Sequence, residues 1–205
     1  MTTETVNQLP KAAVEQLVTH RFTVDKYQQM IESGILTEDD RVQLLAGVII
    51  EMTPIGPRHR VTVTKLNELL YRVLPTGWHL ACQQPIALSD SEPEPDLSIV
   101  RGEILEYQDR IPAGSDVGLV IEVADRSLEL DRTQKKAIYA TAGIPEYWIV
   151  NLNEKTVEVY RDSKPAEADQ PARYETKQVL TSAESLTLQL GSESLGKLKV
   201  ADFLP

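Results

Sequence analysis

The sequence predicts a mixed α/β fold, in which helices flank a sheet that combines parallel and antiparallel strands. The nearly all-apolar segment GLVIEVA at 118–124 predicts a central strand that is covered on both faces. A helical pattern at 131–142 and a second apolar strand at 147–152 follow it, and this order favours parallel pairing of the two strands. Beyond residue 155 polar and apolar residues alternate, which predicts antiparallel strands with one exposed face.

Length and composition indicate one sizeable domain. The chain has 205 residues, of which 41% are hydrophobic and 25% are charged, as in ordinary globular proteins. We expect an N-terminal arm at 1–20 and a single domain at 21–205. The N-terminal sequence lacks the pattern of a signal peptide, and no apolar run reaches the roughly 18 residues that a membrane span needs. The expected location is therefore the cytoplasm, without membrane association.

Charge and cysteine content exclude several classes of protein. One cysteine cannot form an internal disulfide framework or a thiolate zinc cluster, and the three histidines share no metal-ligand spacing. The net charge of −10 argues against a protein that binds nucleic acid strongly without a metal, because such binding depends on lysine and arginine. It is compatible with a metal-dependent nuclease, whose site is itself built from carboxylates.

The N-terminal half predicts two helices on either side of a β-hairpin. Thr23 is suited to cap a helix that runs to Ile31 and stops at Gly34. Residues 41–52 form two apolar runs around an Ala-Gly turn, which predicts the hairpin. After a proline-rich loop, apolar residues recur every three or four positions from 58 to 74, which predicts an amphipathic helix with a basic exposed side.

The second half predicts mainly strands, with a helix between the last two central ones. The segments at 78–88 and 97–100 are the first two strands. The helix at 131–142 has Tyr139 on its apolar side and Gly143 as the residue that ends it. In the tail we expect antiparallel strands at the edge of the same domain, joined by polar turns.

Three polar residues interrupt these strands or stand next to them. Asp96 precedes the strand at 97–100, Glu122 lies inside the central strand, and Lys135 lies on the helix that follows. Two carboxylates on neighbouring strands can hold a divalent cation, while a lysine stabilises charge on a phosphate. The pattern predicts a phosphodiesterase site in which Asp96 and Glu122 bind Mg²⁺ and Lys135 assists the attacking water or the transition state.

A purely structural interpretation of these residues stays open. Glu122 is also compatible with a buried ion pair to the next helix, and Asp96 with a turn after proline. Other enzyme classes are disfavoured, because the sequence has neither the G-x-S-x-G elbow of serine hydrolases nor a Gly-rich phosphate loop after a strand.

The runs PEPDLSIV and LVIEVADRSLELDRTQKKAIYATAGIPEYWIVNL resemble the Uma-type family of restriction endonucleases, members of the PD-(D/E)xK nuclease superfamily. The resemblance extends over residues 22–205 and includes DDRVQLLAGVIIEMTPIGPRH and the closing LKVADFLP. It implies a restriction-endonuclease-like core with flanking helices and extra antiparallel strands. It also implies Mg²⁺ as cofactor, with Mn²⁺ able to substitute, and DNA as substrate.

The resemblance carries over residue by residue to the same three positions. The family's aspartate is Asp96, its glutamate is Glu122 and its helix lysine is Lys135. The superfamily's usual lysine position, two residues after the glutamate, is Ala124, so the resemblance implies that the lysine has moved to the helix. Lys136 is adjacent but points about 100° away around the helix, which favours Lys135.

Five further positions are expected to support the site. Asp131 and Tyr139 match the family pattern and are expected to orient the lysine or line the cleft. His59 is expected to contact the substrate phosphate or to be an ordinary residue at a helix N-terminus. Gln83 is expected on a strand that enters the cleft. Gln43 stands where family members often carry a glutamate.

Two functional alternatives and the assembly stay open. The glutamine at position 43 is compatible with a slow or single-metal enzyme, or with a catalytically inactive nuclease fold that serves as a nucleic-acid-binding or regulatory module. The sequence does not distinguish RNA or branched DNA from duplex DNA as the substrate. A homodimer is expected, because double-strand cleavage needs two sites, and Trp148 and the tail strands are candidates for the contact.

Overall fold

The computed structural model describes residues 19–191 and 193–204, so the first 18 residues of the predicted arm lie outside the described residues. The helices are α1 (Val24–Glu32), α2 (Pro57–Val73) and α3, a continuous run of Leu128–Leu130, Asp131–Lys135 and Lys136–Thr141. The strands are β1 (Val42–Leu45), β2 (Val48–Glu51), β3 (Trp78–Cys82), β4 (Leu97–Arg101), β5 (Val117–Ala124), β6 (Glu146–Asn151), β7 (Thr156–Lys164), β8 (Arg173–Thr181), β9 (Ser185–Leu190) and β10 (Glu193–Lys199). Short 3-10 turns occur at Glu38–Asp40, Ile104–Tyr107, Gly114–Asp116 and Val200–Asp202.

A six-stranded mixed sheet in the order β3-β4-β5-β6-β7-β8 forms the centre, which confirms the predicted fold class. β5 and β6 pair in parallel across α3, as the strand–helix–strand order predicts, and the other pairs of this sheet are antiparallel. β1–β2 and β9–β10 form separate antiparallel hairpins. No helix within the described residues is both long and apolar enough to cross a membrane.

Local sequence explains the first helix and the first hairpin. The Thr23 hydroxyl accepts a hydrogen bond from the backbone N–H of Lys26 (3.3 Å) and caps α1 as predicted. Ala46 and Gly47 connect β1 to β2 with φ values of 48° and 74°. A two-residue hairpin turn of this kind needs positive φ at both positions, because its twist then matches that of the strands.

The two faces of the central sheet are covered by different elements. Along β5, Leu119, Ile121 and Val123 belong to the core beneath α2, which also includes residues of the β9–β10 hairpin. The alternate residues Val120 and Ala124 belong to the core beneath α3. Because side chains alternate across a strand, Glu122 points to the α3 side, where Lys135 and Tyr139 lie.

Three sequence predictions need correction. The strand predicted at 78–88 ends at Cys82, because Gln83 adopts a left-handed conformation (φ 51°) that ends the extended backbone. The helix predicted from 131 begins at 128. Trp148 has no exposed surface and its indole N–H donates to Glu146, so it cannot form the predicted dimer contact.

Candidate active site

Asp96 and Glu122 lie side by side on neighbouring strands. β4 and β5 are antiparallel with Leu97 opposite Ile121, so the residue before β4 is next to Glu122. The side chains of Asp96 and Glu122 are only 12% and 5% exposed, yet both line a cleft of about 70 Å³ at the end of the sheet. The other side chains of interest that line this cleft are Gln43, His59, Gln83, Glu94 and Lys135.

Asp96 is fixed by one backbone and one side-chain contact. Its Oδ2 accepts a hydrogen bond from the backbone N–H of Val123 (2.8 Å) and lies 2.9 Å from Nε2 of His59, which comes from the first turn of α2. Burial lowers the pKa of His59, but the hydrogen bond and charge of Asp96 outweigh burial and raise that pKa overall. His59 therefore contacts the predicted metal ligand itself.

Glu122 is fixed by two donors from α3. Its Oε1 accepts hydrogen bonds from Nζ of Lys135 (2.8 Å) and from the hydroxyl of Tyr139 (2.7 Å). Lys135 is itself buried, at 5% exposure, and its Nζ is 3.9 Å from Oδ1 of Asp131. The structure thus brings Asp131, Lys135 and Tyr139 together around Glu122, on the helix that the sequence indicates.

A π-helical turn at Asp131–Lys135 shapes this side of the site. The backbone N–H of Lys136 bonds to the carbonyl of Asp131, and the same carbonyl accepts the hydroxyl of Tyr147 (3.2 Å). The Ser127 hydroxyl donates to Oδ2 of Asp131 (2.6 Å), so this serine orients the acid from the start of α3. π-turns inside α-helices are rare and often occur at functional sites.

The site holds more negative than positive charge. Asp96, Glu122 and Asp131 are buried carboxylates that share one buried ammonium group, that of Lys135. Burial raises the pKa of Glu122 to about 7, because the opposing charge of Lys135 only partly offsets burial and the neighbouring acids. Burial lowers the pKa of Lys135, but the charges of Glu122 and Asp131 raise it overall, so this lysine stays protonated. An added cation would relieve this imbalance.

The donor set fits a hard divalent cation. The hydrogen bonds of Asp96 and Glu122 each use one carboxylate oxygen, and the second oxygen of each has no hydrogen-bond partner in the described part of the chain. Among the same residues no group of three or more His, Cys, Asp or Glu side chains forms a ready metal site. Mg²⁺ is compatible with this, since it commonly binds one or two carboxylates and completes its shell with water and substrate phosphate.

The two predicted glutamines line the cleft in different ways. Gln43 on β1 is 3% exposed, and its Oε1 accepts the backbone N–H of Glu94 at 3.4 Å. Gln83 lies just beyond the end of β3, exposed, rather than on a strand that enters the cleft. Its backbone N–H donates to the carbonyl of Asp96 (3.1 Å), which ties this segment to the site.

Glu94 is a cleft residue that the sequence analysis missed. Burial raises its pKa, against the opposing charges of Arg41 and Lys135. The signal was present in the segment Glu92-Pro-Glu94-Pro-Asp96. A residue before proline favours an extended backbone, and in an extended segment every second side chain points the same way. This spacing would have placed the three acids on one side, with Glu94 next to Asp96.

Comparison with known proteins identifies the family and agrees with the fold. Residues 24–201 match the model of the Uma2 family, described as "Putative restriction endonuclease". The fold is similar to the crystal structure of a putative nuclease belonging to DUF820 from Anabaena variabilis ATCC 29413, with a TM-score of 0.67 and 16% sequence identity over 89% of this chain and 97% of that chain. No curated protein matches the sequence. The family match spans most of the chain, and the protein belongs to the Uma2 family of restriction-endonuclease-like proteins.

Proposed function

We propose that this protein is a Mg²⁺-dependent endonuclease that hydrolyses DNA phosphodiester bonds. The observation that carries the proposal is the meeting of Asp96, Glu122 and Lys135 at one cleft, from three separate elements. Membership of the Uma2 family supports a nuclease. Asp96 and Glu122 would hold the metal, and Mn²⁺ is expected to replace Mg²⁺ at such an oxygen site.

The side chains divide the work of hydrolysis between them. A divalent cation at this site would polarise the phosphate and lower the pKa of a bound water. Lys135, whose Nζ bonds to Glu122, would donate a hydrogen bond to that water or to a phosphate oxygen, where negative charge builds up in the transition state. Tyr139 holds Glu122 and His59 holds Asp96, so both carboxylates are oriented before substrate arrives.

Helix α2 offers a surface for the DNA backbone. His59 in its first turn lines the cleft, and the exposed cations Arg58, Lys65 and Arg72 follow at seven-residue spacing along one side of the helix. Arg58 lies 4.0 Å from Asp125, which also lines the cleft. A row of cations that starts at the site can neutralise phosphates on one side of the cleaved bond, even though the whole chain is acidic.

The direct test is cleavage of DNA in Mg²⁺ or Mn²⁺, with supercoiled plasmid and single-stranded circular DNA as parallel substrates. We expect Glu122→Gln to reduce the rate about a thousandfold or more, equivalent to about 4 kcal/mol of transition-state stabilisation. The amide can still accept the hydrogen bonds of Lys135 and Tyr139, so the fold is expected to persist. Glu129→Gln is the matched control, because Glu129 is exposed on α3, the helix that supplies Lys135 and Tyr139. Full activity of the Glu122→Gln variant would show that the proposal is wrong.

One observation favours a second candidate function, that of a nuclease fold without turnover. Gln43 is a buried neutral group at the cleft wall, next to Glu94, where a further carboxylate would add a metal ligand. Titration with Mn²⁺ by calorimetry separates the two candidates. An enzyme should bind the ion through Asp96 and lose this binding in Asp96→Asn, whereas an inert module should show no binding that depends on that residue.

A further inference from the structure

A larger groove opens beside the cleft and is continuous with it. Its volume is about 730 Å³, within the range of about 300–1,000 Å³ typical of pockets that bind small molecules. Four residues, Arg41, Met52, Gln83 and Glu94, line both the cleft and this groove. The far wall consists of Tyr27 and Ile31 from α1 and Leu36 from the turn after it. We refer to this space as the α1 groove.

The backbone at the junction of the two spaces is strained. Arg41 has φ 42° and Gln83 has φ 51°, values that residues with a side chain rarely adopt. Both are held there by backbone hydrogen bonds. The carbonyl oxygen of Arg41 accepts from the backbone N–H of Met52 (2.9 Å), and the backbone N–H of Gln83 donates to the carbonyl oxygen of Asp96 (3.1 Å). Both side chains are exposed. Strained residues of this kind are common where a protein grips a ligand.

The lining of the α1 groove suits a nucleobase better than a row of phosphates. Its wall is apolar at Ile31, Leu36 and Met52, and it includes the acids Glu38 and Glu94. Arg41 is the one positively charged residue among the described residues that line it. A single phosphate can therefore pair with Arg41 at the junction, while the space beyond favours an uncharged, flat group that packs on apolar side chains.

We propose that the α1 groove binds the nucleotide next to the scissile phosphate and that the substrate is single-stranded DNA. This inference rests on the proposed function, because the proposed function assumes that the scissile phosphate binds at the cleft. Arg41 pairs with the neighbouring phosphate, and the base enters the groove against Ile31 and Met52. A base in a duplex is stacked and paired, so it reaches such a groove only after it has been unpaired, at a cost in free energy.

The test measures binding without turnover. Fluorescence anisotropy compares a labelled single-stranded oligonucleotide with the blunt duplex of the same sequence, with Ca²⁺ in place of Mg²⁺. We expect the single strand to bind at least about tenfold more tightly than the duplex. Ile31→Glu and Arg41→Ala should each weaken binding of the single strand about tenfold and bring the two affinities together.

The chain offers a matched control for each variant. Ile35→Glu adds the same charge at an isoleucine that is 67% exposed one turn beyond Ile31 and does not line the groove. Lys197→Ala removes an exposed cation from β10, on the separate β9–β10 hairpin. Both controls should bind within about twofold of the unaltered protein, in keeping with the small effects of ordinary surface substitutions.

The outcomes distinguish this inference from the proposed function. Tighter binding of the duplex, or single-strand binding that Ile31→Glu and Arg41→Ala leave unchanged, overturns the inference even if plasmid nicking depends on Glu122. Groove-dependent binding of the single strand, in a protein whose nicking activity does not depend on Glu122, upholds the groove as a binding site and overturns the proposed hydrolysis.

Discussion

The carboxylate of Asp96 has two donors, the backbone N–H of Val123 and the imidazole of His59, and only the imidazole can be removed by substitution. A group that orients a metal ligand typically changes metal affinity by about 10–100-fold when it is removed. We therefore expect His59→Ala to weaken Mn²⁺ binding by that factor, measured by titration calorimetry, without abolishing it.

The control for this prediction is His20→Ala, because His20 is exposed and lies outside the cleft lining. It should bind Mn²⁺ as the unaltered protein does. If His59 instead contacts the substrate phosphate directly, His59→Ala should weaken DNA binding and leave Mn²⁺ affinity unchanged. That result would favour the first expectation for His59, a contact with the substrate.

At the scale of elements, Glu158 joins α3 to the sheet. This β7 residue is 1% exposed and accepts hydrogen bonds from Nε of Arg132 (2.7 Å) and from Tyr160, while Nζ of Lys177 on β8 lies 2.8 Å away. Burial alone would raise the pKa of Glu158, but these partners outweigh burial and lower it to about 2. The ionised carboxylate is therefore more stable in the folded protein than in the unfolded chain.

The sign of the pH dependence follows from the lowered pKa. The contribution of Glu158 is fully present above its unfolded pKa, near 4.5, and is lost as the pH falls towards about 2. We expect Glu158→Gln to lower the free energy of unfolding by about 3 kcal/mol at neutral pH, and by progressively less in acid. Urea unfolding across this pH range measures it. Glu175→Gln, an exposed acid on β8, should cost under about 0.5 kcal/mol at every pH.

The turn of the first hairpin gives a second prediction at this scale. A Cβ on Gly47 would come within 2.8 Å of the Cβ of Arg21 and 3.1 Å of the carbonyl oxygen of Phe22, in addition to the strain of φ 74°. Gly77 has φ 85° but nothing within 4 Å of a Cβ at that position. Thermal or urea unfolding should show a loss of about 1 kcal/mol for Gly77→Ala and a further 1–3 kcal/mol for Gly47→Ala. Equal losses would mean that the chain before α1 moves aside freely.

The elements that the sequence predicts well are those whose pattern reflects burial. β5 has no polar side chain except Glu122 because both its faces are covered, and α2 buries Val63, Leu66 and Leu70 at helical spacing. The left-handed conformation of Gln83 has no such signal, because the contacts that hold it come from distant parts of the chain. The π-turn of α3 was missed too, and one of the contacts at this turn comes from outside the helix, the hydroxyl of Tyr147 on β6.

The site residues likewise include some that the sequence predicts and some that it does not. Asp96, Glu122 and Lys135 stood out because charged residues in or beside apolar segments are costly to bury without a partner. The structure brings the three together at one cleft. The pairing of His59 with Asp96 joins residues 37 positions apart and required the fold. Glu94 was overlooked because two prolines make its segment look like an ordinary loop, although the same prolines align the acids.

At the scale of the whole molecule, substrate and assembly are linked. A second copy of the protein is required only if both strands of a duplex are cut together, which was the basis for expecting a homodimer. If the α1 groove takes an unpaired strand, one copy contains everything the reaction needs. Dimerisation would then serve another purpose, and the contact would have to lie away from Trp148, which the core covers completely.

The net charge of −10 leads to the last prediction, which concerns metal removal. Without a cation, the carboxylates of Glu94, Asp96 and Glu122 at the cleft face an incoming phosphate and repel it.

We expect a chelator to abolish cleavage and also to weaken oligonucleotide binding about tenfold or more, as measured by fluorescence anisotropy. Ca²⁺ should restore binding, because it supplies the missing positive charge at an oxygen site. The variant Asp96→Asn with Glu122→Gln lacks two of these three charges and both proposed metal ligands, so its binding should respond much less to either treatment. Binding that a chelator leaves unchanged in the unaltered protein would mean that phosphate is held by the cations of α2 alone, away from the three acids.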